Sequence, residues 1–178
     1  FPQLAELLSH IHLYQELDEV LTLALDRDPT NFYTRSAYAL NLLRLGNDDE
    51  GLRQMELAWD GDKFNERTFN TRALFRDVVA YEYELVRRDD VELRVPKGAA
   101  PVLADQLFDE IAAARRTFER RYGLKIPNVR VEVYRTPREF AARTIGGPAL
   151  GALGVCFGPV VTIVGPSSGR FTFSRVLW

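Results

Sequence analysis

Apolar residues recur at helical spacing through the first half of the chain, and the pattern changes to strand-like alternation in the second. From Glu16 to Asp26 the positions Leu17, Val20, Leu21, Ala24 and Leu25 fall on one helical face. Asp28-Pro29 stops that helix, because the residue before a proline is driven out of the helical region. Asn31 is placed to cap a helix running through Tyr33, Ala37 and Leu40 to about Leu45, and Gly46-Asn47 supplies a left-handed stop. A helix from about Asp48 to Asp60 carries Leu52, Met55 and Trp59 on one side. A third long helix is expected from about Thr68 to Arg87, lined by Leu74, Val78, Tyr81 and Leu85.

Near Asp89-Asp90 the period shortens. Val91, Leu93 and Val95 alternate with Glu92 and Arg94, the signature of a strand, and Pro96-Lys97-Gly98 is a turn. A long helix is predicted from about Pro101 to Tyr122, ended by Gly123, and a strand over Val129, Val131 and Val133. Thr136-Pro137 opens a short helix carrying Phe140 and ending at Gly146-Gly147-Pro148. Two strands follow, Ala152 to Phe157 and Val160 to Val164, and the second is an unbroken apolar run of the kind buried on both faces. Arg175 to Trp178 has the look of a helix start. The expected fold class is mixed: helical hairpins over residues 1–88, then an α+β unit over 89–178 in the order β-α-β-α-β-β-start of helix.

Composition narrows the function classes without choosing one. Apolar residues make up 46% of the 178, enough for a buried core. The formal net charge of −2 gives no electrostatic reason to expect nucleic acid as a partner, and the basic pairs Arg115-Arg116 and Arg120-Arg121 read as the solvated face of a helix. A single cysteine, Cys156, excludes an internal disulfide framework and a thiolate zinc cage. No apolar run is long enough to be expected to span a bilayer.

The chemistry-bearing residues are sparse. His10 and His12 are the only histidines; two residues apart on a helix they would point in different directions and could not form an i, i+4 zinc pair. Cys156 has no histidine near it in sequence to generate a thiolate, and is expected to be a small buried residue. The carboxylate pairs Asp48-Asp49 and Asp89-Asp90 read as helix-start or turn residues with no catalytic role. Between Gly146 and Gly158, Gly147, Gly151 and Gly154 add to a glycine-rich stretch, but no Gly-Lys-Ser/Thr or following helix makes it a phosphate loop. These glycines permit close backbone approach, either of a neighbouring strand or of an extended ligand.

The helical half resembles tetratricopeptide repeats. With Phe32 as first position, Pro29 closes the preceding repeat, Gly46 falls at the turn, and Ala58 and Ala24 take the small position of the second helix. Gly51 stands where alanine is usual and Lys63 where the closing proline belongs; the rival reading is a plain helical bundle.

The second half, from about Asp90, resembles the amino-terminal subdomain of gluzincin-type, thermolysin-like zinc metallopeptidases. The residues that carry this are Val129-Arg130-Val131-Glu132-Val133-Tyr134, Thr136-Pro137-Arg138-Glu139-Phe140, Gly151 to Gly158, Val160 to Val164, and Val176-Leu177-Trp178. The resemblance implies a glycine-rich edge strand that pairs with an extended substrate peptide, placed on Gly151, Ala152, Leu153, Gly154, Val155, Cys156 and Phe157. It also implies a His-Glu-x-x-His zinc helix in a longer parent, expected just after Trp178; no histidine follows His12, so this chain is expected to hold no zinc and to be inactive by itself. The rival classes are a protein–protein interaction module without metal in the parent, and a nucleotide-using enzyme.

Overall fold

The computed structural model describes residues 2–126 and 128–165. The helical part begins with two antiparallel pairs: α1 (Pro2–His10) with α2 (Tyr14–Arg27), and α3 (Phe32–Arg44) with α4 (Asp48–Gly61). The Asn31 side chain accepts a hydrogen bond from the Thr34 amide at 2.9 Å, so the predicted cap forms. Gly46, at φ +83°, makes the turn into α4. Ala39, Leu40 and Leu43 of α3 bury against Met55 of α4. The two helices approach so closely at Gly51 that an added Cβ would lie 2.8 Å from Leu43 Cδ2, which explains glycine at that position.

The third helix differs from expectation. After α5 (Glu66–Ala73) the backbone widens into a π-helical segment (Leu74–Val79), closes with a short α6 (Ala80–Glu82), and then extends as β1 (Tyr83–Arg88). Tyr83 to Arg88 pair antiparallel with β2 (Val91–Pro96), in register from Tyr83↔Pro96 to Arg88↔Val91. Tyr81 lies in α6 as its spacing predicts, but Leu85 falls in the strand, where ladder pairing with β2 and burial of Tyr83 override the local helical spacing. The sheet therefore draws its first strand from before residue 89.

The remaining elements follow the predicted order: α7 (Ala100–Tyr122), β3 (Val129–Tyr134), α8 (Pro137–Thr144), β4 (Gly154–Phe157) and β5 (Val160–Val164). Thr136 caps α8 by accepting from the Glu139 amide at 3.1 Å. The helix start expected at Arg175–Trp178 lies outside the described residues. The five strands stand in the order β1-β2-β3-β5-β4, parallel in the middle and antiparallel at both ends. One face is apolar: Leu93, Val95, Val131, Val133 and Ile163 bury against Leu107, Phe108 and Ile111 of α7.

The other face carries charge and lies against the helices. Glu92 and Arg130 are register partners, as are Arg94 and Glu132, so opposite charges stand side by side across β2 and β3. Glu132 is fully buried and takes Arg94 Nη1 at 2.5 Å and Arg143 Nε, from α8, at 2.7 Å. Asp48, in the first turn of α4, accepts from both Arg94 and Arg130, and Arg143 Nη2 donates to the Leu43 carbonyl of α3 at 2.9 Å. Helical hairpins and sheet thus share one ionic core. Burial pushes the Glu132 carboxyl up, but the Arg143 and Arg94 charges outweigh it and hold the group below its ordinary value of 4.5.

A folded-state value below the unfolded one contributes stability that is present above the unfolded value and lost as pH falls through the folded one. Urea midpoints are accordingly expected to stay level from about pH 7 down to about pH 5 and to fall below that, with a shallower fall in Glu132→Gln; chemical denaturation across pH checks this.

Candidate functional site

β4 stands at the sheet edge, and no described strand lies on its outer side. Gly158, at φ +57°, takes the first central position of the two-residue loop between β4 and β5, where a tight hairpin favours glycine. The register pairs Phe157 with Val160 and Val155 with Thr162, and the Val164 amide donates to the Leu153 carbonyl at 3.0 Å. In an antiparallel ladder the alternate residues turn their amides and carbonyls the other way. Gly154 and Cys156 therefore direct theirs at the outer edge.

The predicted residues divide along that alternation. Phe157 is buried in a cluster with Leu8, Tyr14, Leu17 and Leu21 of the helical hairpins, edge-on to the Tyr14 ring at 6.2 Å. Its side chain anchors the strand from inside, and does not line an outer pocket. Val155 is partly buried against the same cluster. Gly151 and Leu153 are exposed, Ala152 is half-buried, and a Cβ added at Gly151 would touch nothing within 4 Å. The approach to the strand is thus open from the side of residues 151–153.

Cys156 departs from expectation: it is exposed, because β4 is the outermost described strand and α7 packs over β1, β2 and their neighbours at the other end of the sheet. Local shielding of its sulfur pushes the thiol up, away from the thiolate a nucleophile needs, and the S–H donates to the Gly158 carbonyl at 3.5 Å. His12 also departs from expectation. It lies outside α1 in a turn at φ +62°, with Nδ1 2.6 Å from the Tyr14 hydroxyl. His10 ends α1. Among the described residues no group of three or more His, Cys, Asp or Glu side chains is placed to hold a metal ion, and no helix is long and apolar enough to cross a membrane.

Two residues near this strand gave no sequence signal. Arg44, in the last turn of α3, lays its guanidinium 5.4 Å over the Phe157 ring and 5.3 Å over that of Tyr14. Arg67 of α5 lies across the same helical groove. As sequence, each is one arginine in a helix with no distinguishing neighbour.

Compared with known families, curated proteins and solved structures, the chain shows no match to a family model, to a curated protein or to a solved structure.

Proposed function

We propose that this chain binds extended polypeptide along the outer edge of β4, as the peptide-holding part of a gluzincin-type zinc peptidase whose tetratricopeptide-like hairpins seat that strand. The observation that carries the reading is the edge itself, unpaired among the described residues: an antiparallel strand beside the parallel pair β5–β3, with the backbone groups of Gly154 and Cys156 turned outward. A peptide laid there would add a strand, gaining main-chain hydrogen bonds without sequence-specific contacts. The open approach at Gly151 and Leu153 supports the same direction of entry. Hydrolysis in this reading needs zinc ligands and a glutamate base in a longer parent; the activity proposed for this chain is peptide binding.

Proline at position 156 tests the edge selectively. It removes an outward amide while leaving the inner ladder of Val155 and Phe157 to β5 intact, which is the arrangement edge strands tolerate. Fluorescence anisotropy with labelled, unfolded casein is expected to show binding weakened about tenfold or more in Cys156→Pro, with an unchanged unfolding midpoint, since loss of a main-chain hydrogen bond and of strand continuity removes more than about 1.4 kcal/mol. Equal binding by both proteins would reject the edge as the site. Zinc analysis of the native protein carrying this sequence separates the rival: one equivalent supports a peptidase, and none supports a pure interaction module.

A further inference from the structure

A cavity of about 530 Å³ opens between α1, α2 and α3, away from the outer edge of β4. Its volume is in the range of small-ligand sites. One wall is aliphatic, with Leu17, Val20 and Leu21. The other presents Arg44 and Arg67. Both are half-buried and neither has a carboxylate within ion-pair distance among the described residues, whereas the buried arginines Arg94 and Arg143 are each paired with Glu132.

The unpaired state is specific. Arg44 donates Nη1 to the Ser9 hydroxyl at 3.1 Å and otherwise faces aromatic rings. Arg67 Nη2 makes one long contact, 3.5 Å, to the Thr144 carbonyl. Arg67 Nε is buried with no hydrogen-bond partner among the described residues. Glu6 lines the cavity at its exposed lip and pairs with neither. Desolvation first, and the Arg67 charge second, lower Arg44 to about 10, so it is still cationic at neutral pH. Desolvation lowers Arg67 too. Two desolvated like charges with a buried orphan donor are costly as they stand, and an anion between them would relieve the repulsion and complete the hydrogen bonding.

We propose that this cavity binds a small amphiphilic carboxylate, with the carboxylate between Arg44 and Arg67 and an aliphatic tail against Leu17, Val20 and Leu21. The aliphatic wall distinguishes this from a site for inorganic anions, and the planar guanidinium groups suit a carboxylate. A fatty acid and the free C-terminus of a peptide ending in an aliphatic residue share that chemistry. The site lies on the inner, Phe157 side of β4 and uses none of its outward backbone groups, so its test is independent of the edge-binding one.

Calorimetric titration with octanoate and with N-acetyl-dileucine distinguishes the two sources. Saturable binding of at least one is expected, the tighter naming the source, and weakened tenfold or more when the carboxylate is converted to the amide. Arg67→Met is expected to weaken that binding by a similar factor while leaving the thermal midpoint unchanged or raised, because it removes an uncompensated charge. A purely structural arginine would instead lower the midpoint on replacement. The proposal is overturned if neither probe binds, if the amide binds as well as the acid, or if Arg67→Met lowers the midpoint with binding unaltered.

Discussion

Glu132→Gln is expected to destabilise the protein by about 3–5 kcal/mol, the cost of leaving buried charge without its partner. The carboxylate is fully buried and serves Arg94 on one oxygen and Arg143 on the other, with the Tyr134 hydroxyl donating at 3.2 Å. A glutamine keeps the shape, but its amide has one acceptor oxygen where two are used, and it brings no charge. Arg94 retains Asp48, whereas Arg143, in the interior, retains among the described residues the Leu43 carbonyl as acceptor and no other carboxylate. Urea denaturation gives the magnitude. Replacing the whole set, Glu132→Leu with Arg94→Met and Arg143→Met, is expected to recover most of the loss, since an apolar triad has no desolvated charge to compensate. Recovery in the triple variant separates an electrostatic cost from a packing one.

Phe75→Ala is expected to cost a comparable amount, about 3–5 kcal/mol, by emptying a large buried site. Phe75 lies in the π-helical segment and is almost wholly buried with Ala39, Leu40, Leu43 and Met55 of α3 and α4. Its ring also lies 5.4 Å below the Arg94 guanidinium and 5.6 Å below that of Arg143. One side chain therefore closes the helical core and forms an aromatic floor for the ionic one, and its loss removes cation–π attraction from both arginines in addition to the cavity term. Phe75→Leu refills part of the volume without the quadrupole, so its remaining deficit measures the aromatic contribution; thermal and urea unfolding of the two variants give both numbers.

Much of the fold was legible in the sequence because capping and period agreed. Asn31, Gly46, Gly123 and Thr136 each sit where a helix begins or ends, and their geometry is the one their side chains, or lack of one, permit. β1 was not legible: Leu85 continues the helical spacing of Leu74, Val78 and Tyr81, and only the long-range ladder to β2 decides for a strand from Tyr83 onward. The charged sheet face shows the same limit. Arg130 and Glu132 alternate with valines as they would on a strand facing water, and nothing local reveals that the first turn of α4 and the side chain of Arg143 close over them. The candidate edge was readable from glycines and alternation, but the exposure of Cys156 and the inward seat of Phe157 depend on which strand ends the sheet and on where α1 and α2 dock. Arg44 and Arg67 acquire meaning only from the carboxylates that the fold fails to bring near them.

The Glu132 network ties the helical hairpins to the sheet, and the two are expected to behave as one cooperative body that holds β4 in place. Hydrogen–deuterium exchange of wild type and Glu132→Gln, followed by peptide mass, tests it directly. Protection is expected to fall together in α3, α4 and in β2, β3 and β5. Helices that keep their wild-type protection while the sheet alone loosens would contradict it, and would make the two parts independent.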